Sequence, residues 1–342
     1  MPHKPLLTIA IPTWNRATFL AKTLEQLRSE IATTPTGLVE VLVSNNASED
    51  TTEEVIQRMV AAGLPITSIK NPVNMGSDAN IAQCFNMASG NYVLILGDDD
   101  LLVDHSLATI LQRLAQEQYG VVCLRSYGFE NDFRQEYPGD YGVGKEYINS
   151  TDFLVKVGPL VTFISSCIIN RQLIAEVDAN QFCGSNLVQV ELVLSAMFVA
   201  RKNFFFNQYI IACLRNNSSG YEFSAIFVKN LFAILDKYQS KGLDRRSIER
   251  FENKLLFTFF PFYLTRQRLS DSTDIAVCFE NFDKRFHRRF LFSYWTKPII
   301  SLPRPLAVVW GVMATVIGRT LNGDLRRGLY FYWNRLIRIK YN

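Results

Sequence analysis

The sequence predicts an α/β fold with a mainly parallel central sheet, followed by an α-helical region. Short β-prone runs alternate with stretches of helical spacing through about the first 125 residues, which is the pattern of a layered α/β domain. From about residue 222 the apolar residues recur at helical spacing alone. Because 342 residues are enough for about two domains, we predict domains at 1–220 and 221–342.

Each predicted strand is a run of apolar and β-branched residues between turn-forming residues. Each predicted helix carries apolar residues at helical spacing. We expect Asn15 or Thr18 to cap the first helix and Pro261 to break the last one. Strands are expected at 6–11, 39–43, 66–69, 92–96, 120–125, 160–170 and 204–214, helices at 19–28, from Thr51 or Thr52, at 79–88, 223–238 and 248–260, and an irregular loop at 126–150.

Polar clusters follow four of the predicted strands, at residues 12–16, 44–48, 74–80 and 98–100. Parallel strands end at one edge of a sheet, where ligands of α/β proteins bind. The last cluster is three adjacent carboxylates, which are costly unless a positive charge meets them. A divalent cation bound to a phosphorylated ligand would supply that charge. The alternative is a solvated acidic turn that only ends the strand.

Composition and motifs exclude several classes of protein. The chain has no GxGxxG and no GxxxxGK[ST], which disfavours a dinucleotide dehydrogenase and a P-loop NTPase. Its six cysteines form no CxxC and lie mostly in apolar runs, as expected of a reducing compartment without a disulfide frame or zinc site. The amino terminus leads directly into a strand, so we expect no signal peptide and a cytoplasmic protein.

Charge is distributed unevenly along the chain. Residues 1–283 carry 24 Lys and Arg against 31 Asp and Glu, whereas residues 284–342 carry 12 against one. The basic part is interleaved with aromatic residues and includes an uncharged stretch at 305–318, too short to cross a bilayer upright. We expect this part to lie on an anionic membrane surface. The alternative is a helical subdomain with a solvated basic face; no nucleic-acid-binding motif accompanies the basic residues.

Four successive motifs resemble those of GT-A fold glycosyltransferases of family 2. The resemblance covers residues 6–125 well and is weaker to about residue 220. Within the family, the chain is similar to the abequosyltransferase-like enzymes of O-antigen assembly. The motifs are Thr8–Arg16 (TIAIPTWNR), Val43–Ser48 (VSNNAS), Asn74-Met75-Gly76 with Asp78 and Asn80, and Leu96–Asp100 (LGDDD).

The resemblance implies a nucleotide-sugar half at about 1–125 and an acceptor half at about 126–220. The family usually has an Asp at position 45, which accepts the N3–H of uracil. Asn45 has both a donor and an acceptor, so CDP-, UDP- and dTDP-sugars are all admissible, and plain turn chemistry is the alternative. Asp78 and Asn80 either reach the ribose or phosphates or cap the next helix. The implied donor-site residues are Pro12, Thr13, Asn15, Arg16, Asn45, Asp78, Asn80, Asp98, Asp99 and Arg215.

The acid cluster corresponds to the family's DxD motif, which holds Mg²⁺ or Mn²⁺ and stabilises the diphosphate leaving group. Spacing favours Asp98 and Asp100 as ligands, whereas the following apolar residues favour Asp99 and Asp100. Arg215 fits a diphosphate-binding role, and Asn217 stands where many relatives have His. We expect His105 to lie outside the site.

The family's catalytic base is usually an Asp that here corresponds to Gln189, which cannot accept a proton at neutral pH. Glu191 is the nearest carboxylate and our expected base, with Asp178 as the fallback. The alternative for Glu191 is a helix amino-terminal acid without a catalytic role. Ser165 and Ser166 either meet an acceptor sugar or bond to nearby backbone.

These implications predict an inverting, metal-dependent glycosyltransferase. Its acceptor would be a glycan on a polyprenyl diphosphate at the cytoplasmic membrane face. A sugar nucleotidyltransferase is a first alternative, but residues 12–16 lack a basic, Gly-rich triphosphate loop. A catalytically silent, membrane-bound member that binds nucleotide sugar is a second, because Gln189 replaces the usual Asp. We expect no nucleic-acid partner.

Overall fold

The computed structural model describes residues 4–139, 142–215, 222–270 and 274–321. These residues belong to two compact units, Met1–Ser219 and Gly220–Asn342. Asn217 and the basic tail beyond residue 321 lie outside the described residues.

The described part of the amino-terminal unit is built around a nine-stranded sheet. The strands are β1 Leu7–Thr13, β2 Val39–Asn45, β3 Ile66–Lys70, β4 Tyr92–Ile95, β5 Asp100–Leu102, β6 Val121–Phe129, β7 Gly144–Tyr147, β8 Cys167–Asn170 and β9 Asn203–Leu214. Their order is β3-β2-β1-β4-β8-β6-β9-β5, and β7 pairs with β9. The helices of this unit are α1 Ala17–Ile31, α2 Thr52–Ala61, α3 Ser77–Met87, α4 Ser106–Gln116, α5 Ser150–Val157 and α6 Val188–Val199.

Most strands of this sheet run in one direction. β3, β2, β1 and β4 pair in parallel. β8 is antiparallel to both β4 and β6, and β9 is parallel to β6, so β6 and β9 run the same way as β1. Side chains of β1, β2 and β4 such as Ile9, Val41 and Leu94 are fully buried in the core. The predicted α/β fold with a mainly parallel sheet is confirmed.

The first strand and helix differ from the prediction at their junction. β1 continues through Pro12 and Thr13, which pair only with β2 because the register with β4 ends at Ala10. Proline is tolerated at such a position because one side of the strand no longer needs its N–H. α1 begins at Ala17 after Arg16, without a side-chain cap. The predicted cap by Asn15 or Thr18 is therefore wrong.

The structure differs from the prediction at three further elements of the amino-terminal unit. Residues 158–166 form two 3-10 helices instead of a strand, and only Cys167–Asn170 is extended. The hydroxyl of Ser166 bonds to the carbonyls of Leu160 and Phe163, which stabilises the turn. The predicted loop 126–150 contains the end of β6 and all of β7, and the short strand β5 follows the acid cluster directly.

The described part of the carboxyl-terminal unit is helical, as predicted. Its helices are α7 Leu231–Lys237, α8 Arg245–Lys254, α9 Phe260–Ser270, α10 Ile275–Phe286, α11 Lys297–Ser301 and α12 Arg304–Leu321. A π-helical segment, Leu255–Phe259, joins α8 to α9 without a break, so the predicted break at Pro261 is wrong. The wider π turns accommodate a residue that has no N–H to donate.

Much of the aromatic and basic run before residue 296 forms the interior of this unit. Phe282, Phe286 and Phe292 are fully buried. Arg285 pairs with Asp236 at 2.6 Å and with the buried Glu252 at 2.8 Å. These side chains are core residues rather than a membrane-facing surface. Among the described residues, none of the helices combines the length and apolar content that a bilayer span requires.

We expect Gly311→Ala to destabilise the carboxyl-terminal unit. A Cβ at Gly311 would overlap Thr265 Oγ1 on α9, and such overpacking lowers the free energy of unfolding by about 1 to 3 kcal/mol. Thr265→Ala in the same chain should recover part of this loss, because the two sites are coupled. Chemical denaturation of the single and double variants measures the coupling.

Gly318→Ala is the matched control. A Cβ there would meet a backbone atom, the Phe257 carbonyl oxygen, at 2.7 Å, so Thr265→Ala should not relieve it. Equal rescue of both glycine variants would contradict the packing described for α12 and α9.

Candidate functional site

The end of β1 and the turn after it bind the first two carboxylates of the acid cluster. The Thr13 hydroxyl donates to Asp98 Oδ2 at 2.7 Å, and Arg16 Nε donates to Asp98 Oδ1 at 2.7 Å. The other end of the same guanidinium lies 2.7 Å from Asp99 Oδ2. One arginine therefore bridges two adjacent carboxylates, in a geometry that suits its forked donors.

Asp100 is held from the opposite side of the cluster, by the residues that precede β8. Its Oδ2 accepts a hydrogen bond of 2.5 Å from the Ser165 hydroxyl, which itself accepts from the Gly97 amide at 2.8 Å. β8 runs antiparallel to β4, with Ile168 opposite Leu94. The start of β8 thus lies at the edge where β4 ends, which brings Ser165 to the cluster.

Gly97 allows the acidic turn to fold back on itself. A Cβ at this position would lie 2.7 Å from Asp100 Oδ2 and 3.2 Å from Asp99 Oδ1. Oxygens of these two carboxylates therefore approach the same point in space. Beneath them, the Thr23 hydroxyl of α1 donates to the backbone carbonyl of Asp98 at 2.8 Å.

Burial makes the negative charges of the cluster unfavourable. Burial raises the pKa of Asp98 to about 6, although Arg16 and Thr13 act in the opposite direction. Burial, together with the charge of Asp99, raises the pKa of Asp100 to about 8. The described neighbours therefore leave a deficit of positive charge at Asp100.

This chemistry fits a hard divalent cation. Such a cation is commonly held by one or two carboxylates together with ligand phosphates, and Asp99 and Asp100 offer two converging carboxylates. Within the described ranges, no three His, Cys, Asp or Glu side chains converge into a metal cage. A site built from two carboxylates would thus be completed by ligand oxygens.

The loop after β2 lies beside the loop after β1, and its amides are engaged within the fold. Asn45 Oδ1 accepts from the Ser48 amide at 2.9 Å, and Asn45 Nδ2 donates to Glu53 Oε2 at 3.2 Å. Asn15 has a positive φ of 53°, and its Oδ1 accepts from the Glu49 amide at 2.8 Å. Asn15 therefore links the two loops.

Asp78 and Asn80 make similar links at the start of α3. Asp78 Oδ2 accepts from the amides of Gly184 and Asn186 at 2.7 and 2.9 Å. The Asn80 side chain bonds to both the hydroxyl and the carbonyl of Ser44, at 2.6 and 3.1 Å. Both side chains hold neighbouring segments in place.

Arg215 lies just beyond the end of β9, close to the acid cluster. Asp100 on β5 pairs with Cys213 on β9. Burial and the charge of Asp100 raise the pKa of the Cys213 thiol to about 12, while Arg215 acts in the opposite direction. A Cβ on Gly128 would lie 2.6 Å from Arg215 Nε. The absence of a side chain at Gly128 therefore leaves room for the Arg215 side chain.

The candidate bases occupy different surroundings. Gln189 and Glu191 are both buried in the first turns of α6, and two residues along a helix point to nearly opposite sides. Gln189 Nε2 donates to the Thr162 carbonyl at 2.8 Å, and its Oε1 is buried without a hydrogen bond to the described residues. Asp178 is exposed and accepts from Asn86 Nδ2 at 2.7 Å and from the Asn180 amide at 3.0 Å.

The remaining predicted residues divide between site and scaffold. Ser165 contacts the cluster, whereas Ser166 bonds to nearby carbonyls and to the neighbouring Cys167 sulfur. His105 precedes α4 with a positive φ of 65°. Thr23 and Glu53 are two further residues near the site that the sequence motifs did not mark. Thr23 is a polar residue on the buried face of α1. Because the buried face of an amphipathic helix is normally apolar, a polar residue at this spacing indicates a buried hydrogen bond.

Several known glycosyltransferases are similar to this chain. Residues 8–177 match the family model described as glycosyl transferase family 2. The chain is 36% identical over 114 residues to the abequosyltransferase RfbV of Salmonella typhimurium, covering 33% of each chain. It is 30% identical over 156 residues to the GalNAc(5)-diNAcBac-PP-undecaprenol beta-1,3-glucosyltransferase of Campylobacter jejuni, covering 44% of this chain and 48% of the relative. These matches span about a third to a half of the curated relatives' length.

A solved structure supports the fold. The crystal structure of S. aureus TarS 1-349 in complex with UDP-GlcNAc superposes with a TM-score of 0.59 at 14% identity, covering 94% of this chain and 92% of that one. The resemblance inferred from the four motifs is therefore confirmed. Residues 8–177 of the amino-terminal unit form a glycosyl transferase family 2 domain.

Proposed function

We propose that the amino-terminal unit is a glycosyltransferase that takes its sugar from a nucleoside-diphosphate donor. The observation that carries the proposal is the acid cluster at the carboxyl end of β4, with Asp99 and Asp100 converging over Gly97. Pro12 and Thr13 end β1 beside this cluster and would lie against the donor nucleoside. Arg16 and Arg215 supply positive charge for a diphosphate.

Asp99 and Asp100 are the residues we propose as ligands of Mg²⁺ or Mn²⁺. Asp98 already has both oxygens bound, by Thr13 and Arg16, and would act as an anchor of the turn. When bound, a divalent cation would stabilise the diphosphate as a leaving group. Neutralising the cluster would also remove the unfavourable burial of the Asp100 charge.

The donor base is a pyrimidine in this proposal. Asn45 directs its amide nitrogen toward Glu53, and a side-chain amide can pair with cytosine, uracil or thymine. CDP-, UDP- and dTDP-sugars are therefore the candidate donors. UDP-GlcNAc in the TarS complex is a donor of this kind.

Glu191 is our proposed general base for an inverting transfer. It is a buried carboxylate in the first turn of α6, and it would accept the proton of the attacking acceptor hydroxyl. The acceptor we propose is a glycan on a polyprenyl diphosphate at the inner face of the cytoplasmic membrane. The name of the Campylobacter relative includes such a carrier, PP-undecaprenol.

A catalytically silent, nucleotide-sugar-binding protein is the second candidate. It is favoured by Gln189, whose buried Oε1 lacks a hydrogen bond to the described residues at the position of the family's usual carboxylate. Donor binding is common to both candidates, and only turnover separates them.

In a screen of CDP, UDP, GDP and dTDP, we expect one of the three pyrimidine nucleotides, and not GDP, to raise the thermal unfolding midpoint only when Mn²⁺ or Mg²⁺ is present. Selective binding to the folded state stabilises it in proportion to the logarithm of ligand concentration. Asp100→Asn should abolish the metal-dependent part of the shift. Asp104→Asn is the matched control, because this carboxylate pairs with Arg134 at 2.6 Å. No shift with any nucleotide would contradict the donor site.

We also expect Gly97→Ala to remove metal-dependent nucleotide binding while the protein stays folded. The added Cβ would displace the Asp99 and Asp100 carboxylates, and the backbone of Gly97 has no positive φ that would strain an alanine. Isothermal titration with the nucleotide found in the screen measures the loss. Wild-type affinity in this variant would refute the convergence of the two carboxylates as the binding feature.

Glu191→Gln should lower turnover by about a hundred-fold or more and leave nucleotide affinity unchanged. Release of nucleoside diphosphate from the matching nucleotide sugar measures turnover. Glu176→Gln, an exposed carboxylate, serves as control. Unchanged turnover in Glu191→Gln would eliminate this base, and a wild-type protein that binds donor without turnover would favour the silent candidate.

A further inference from the structure

Helix α12 has two faces of different character. One face consists of small buried residues, and the other consists of exposed apolar residues. The small residues are Ala307, Gly311, Ala314 and Gly318. The exposed apolar residues, which we call the outer stripe, are Leu306, Val309, Val312, Met313, Val316, Ile317 and Leu321.

The small face is already used in packing. Gly311 lies against Thr265 of α9, and Gly318 lies against the Phe257 carbonyl so closely that neither position has room for a Cβ. This contact fixes the rotation of α12 about its own axis. The outer stripe consequently points away from α9, and Val309 and Leu321 are 69% and 71% exposed.

An apolar surface of this kind is unusual on a helix exposed to water. No charged residue interrupts α12 between Arg304 and Arg319, so nothing on the outer stripe favours solvation. Contiguous exposed apolar patches mark contact with a partner or a membrane. The uncharged part of the helix is the stretch 305–318, which is shorter than the about 20 apolar residues that a bilayer span requires and suits a helix that lies in the plane of a bilayer surface.

Charge indicates which partner fits. Residues 220–342 carry 21 lysines and arginines against 10 aspartates and glutamates. Part of this positive charge is neutralised within the unit, since Arg285 and Arg289 pair with Glu252. Arg288 is exposed beside the exposed Phe290, and the unit as a whole stays strongly positive. A second copy of this unit would meet like charge, whereas an anionic lipid surface would meet opposite charge.

We propose that the outer stripe of α12 inserts into the interfacial layer of an anionic phospholipid bilayer. The stripe supplies apolar area, and the net positive charge of the unit supplies attraction to the lipid headgroups. Attachment by this helix is independent of whether the amino-terminal unit is catalytic or silent.

Co-sedimentation of the full chain with vesicles tests the proposal. The vesicles contain phosphatidylcholine alone or an equal mixture of phosphatidylcholine and phosphatidylglycerol. We expect binding to the mixed vesicles and a loss of about ten-fold or more for the double variants Val309→Glu with Val316→Glu and Val309→Gln with Val316→Gln. The Gln pair removes apolar area without adding charge, so full binding by this variant would overturn insertion in favour of purely electrostatic attachment.

Ile148→Glu is the matched control, because Ile148 is an 85% exposed apolar residue of the amino-terminal unit. It should bind vesicles like the wild type. Light scattering after size exclusion follows the oligomeric state, and a wild-type dimer that the Gln pair dissociates would overturn the proposal in favour of a second copy. The proposal would also be overturned if the wild type does not bind the mixed vesicles and both double variants have a lower unfolding midpoint than the wild type. In that case other residues of this chain cover the outer stripe.

Discussion

The arrangement of the amino-terminal unit depends on how three adjacent carboxylates are accommodated at the end of β4. Negative charges on adjacent buried carboxylates are unfavourable, because burial and mutual repulsion both disfavour the ionised form. Thr13 and Arg16 from β1 and the turn after it, and Ser165 from the start of β8, each satisfy one part of the cluster. These partners meet because β1 and β8 flank β4 in the sheet. The sheet order is thus a requirement of the site as well as a property of the fold.

The loops around the cluster are held by their own polar side chains. Asn15 links the loops after β1 and β2, Asn80 ties the start of α3 to Ser44 at the end of β2, and Asp78 holds the segment before α6. Residues that the sequence motifs mark as candidate ligand-binding residues therefore fix the backbone of these loops. In the proposed function, Asp99 and Asp100, whose carboxylates converge over Gly97, are the groups that would meet a ligand.

Sequence reasoning predicted the parallel half of the sheet because each of its strands is a single apolar run with polar residues at its end. β5 was not predicted because it is only three residues long and begins with the charged Asp100. Its partner strand β9 also lies more than a hundred positions later in the sequence. The apolar run 160–170 was taken for one strand because nothing in residue type reveals that Ser166 bonds back to Leu160 and Phe163. Composition specifies burial, whereas such side-chain bonds to the backbone decide where a strand begins.

The same distinction applies to the site. Residue type identified the acid cluster, since three adjacent carboxylates directly after a buried strand are costly unless a positive charge meets them. It did not identify Thr23 or Glu53, whose positions depend on how α1 and α2 pack.

Residue type also overestimated the surface role of the aromatic and basic run, because the sequence cannot tell an arginine that pairs with a buried glutamate from one that faces solvent. In the carboxyl-terminal unit, Arg285 and Arg289 pair with Glu252, and Phe282, Phe286 and Phe292 fill the core. The apolar residues of α12 remain exposed because the small face of that helix, and not its larger side chains, fits against α9.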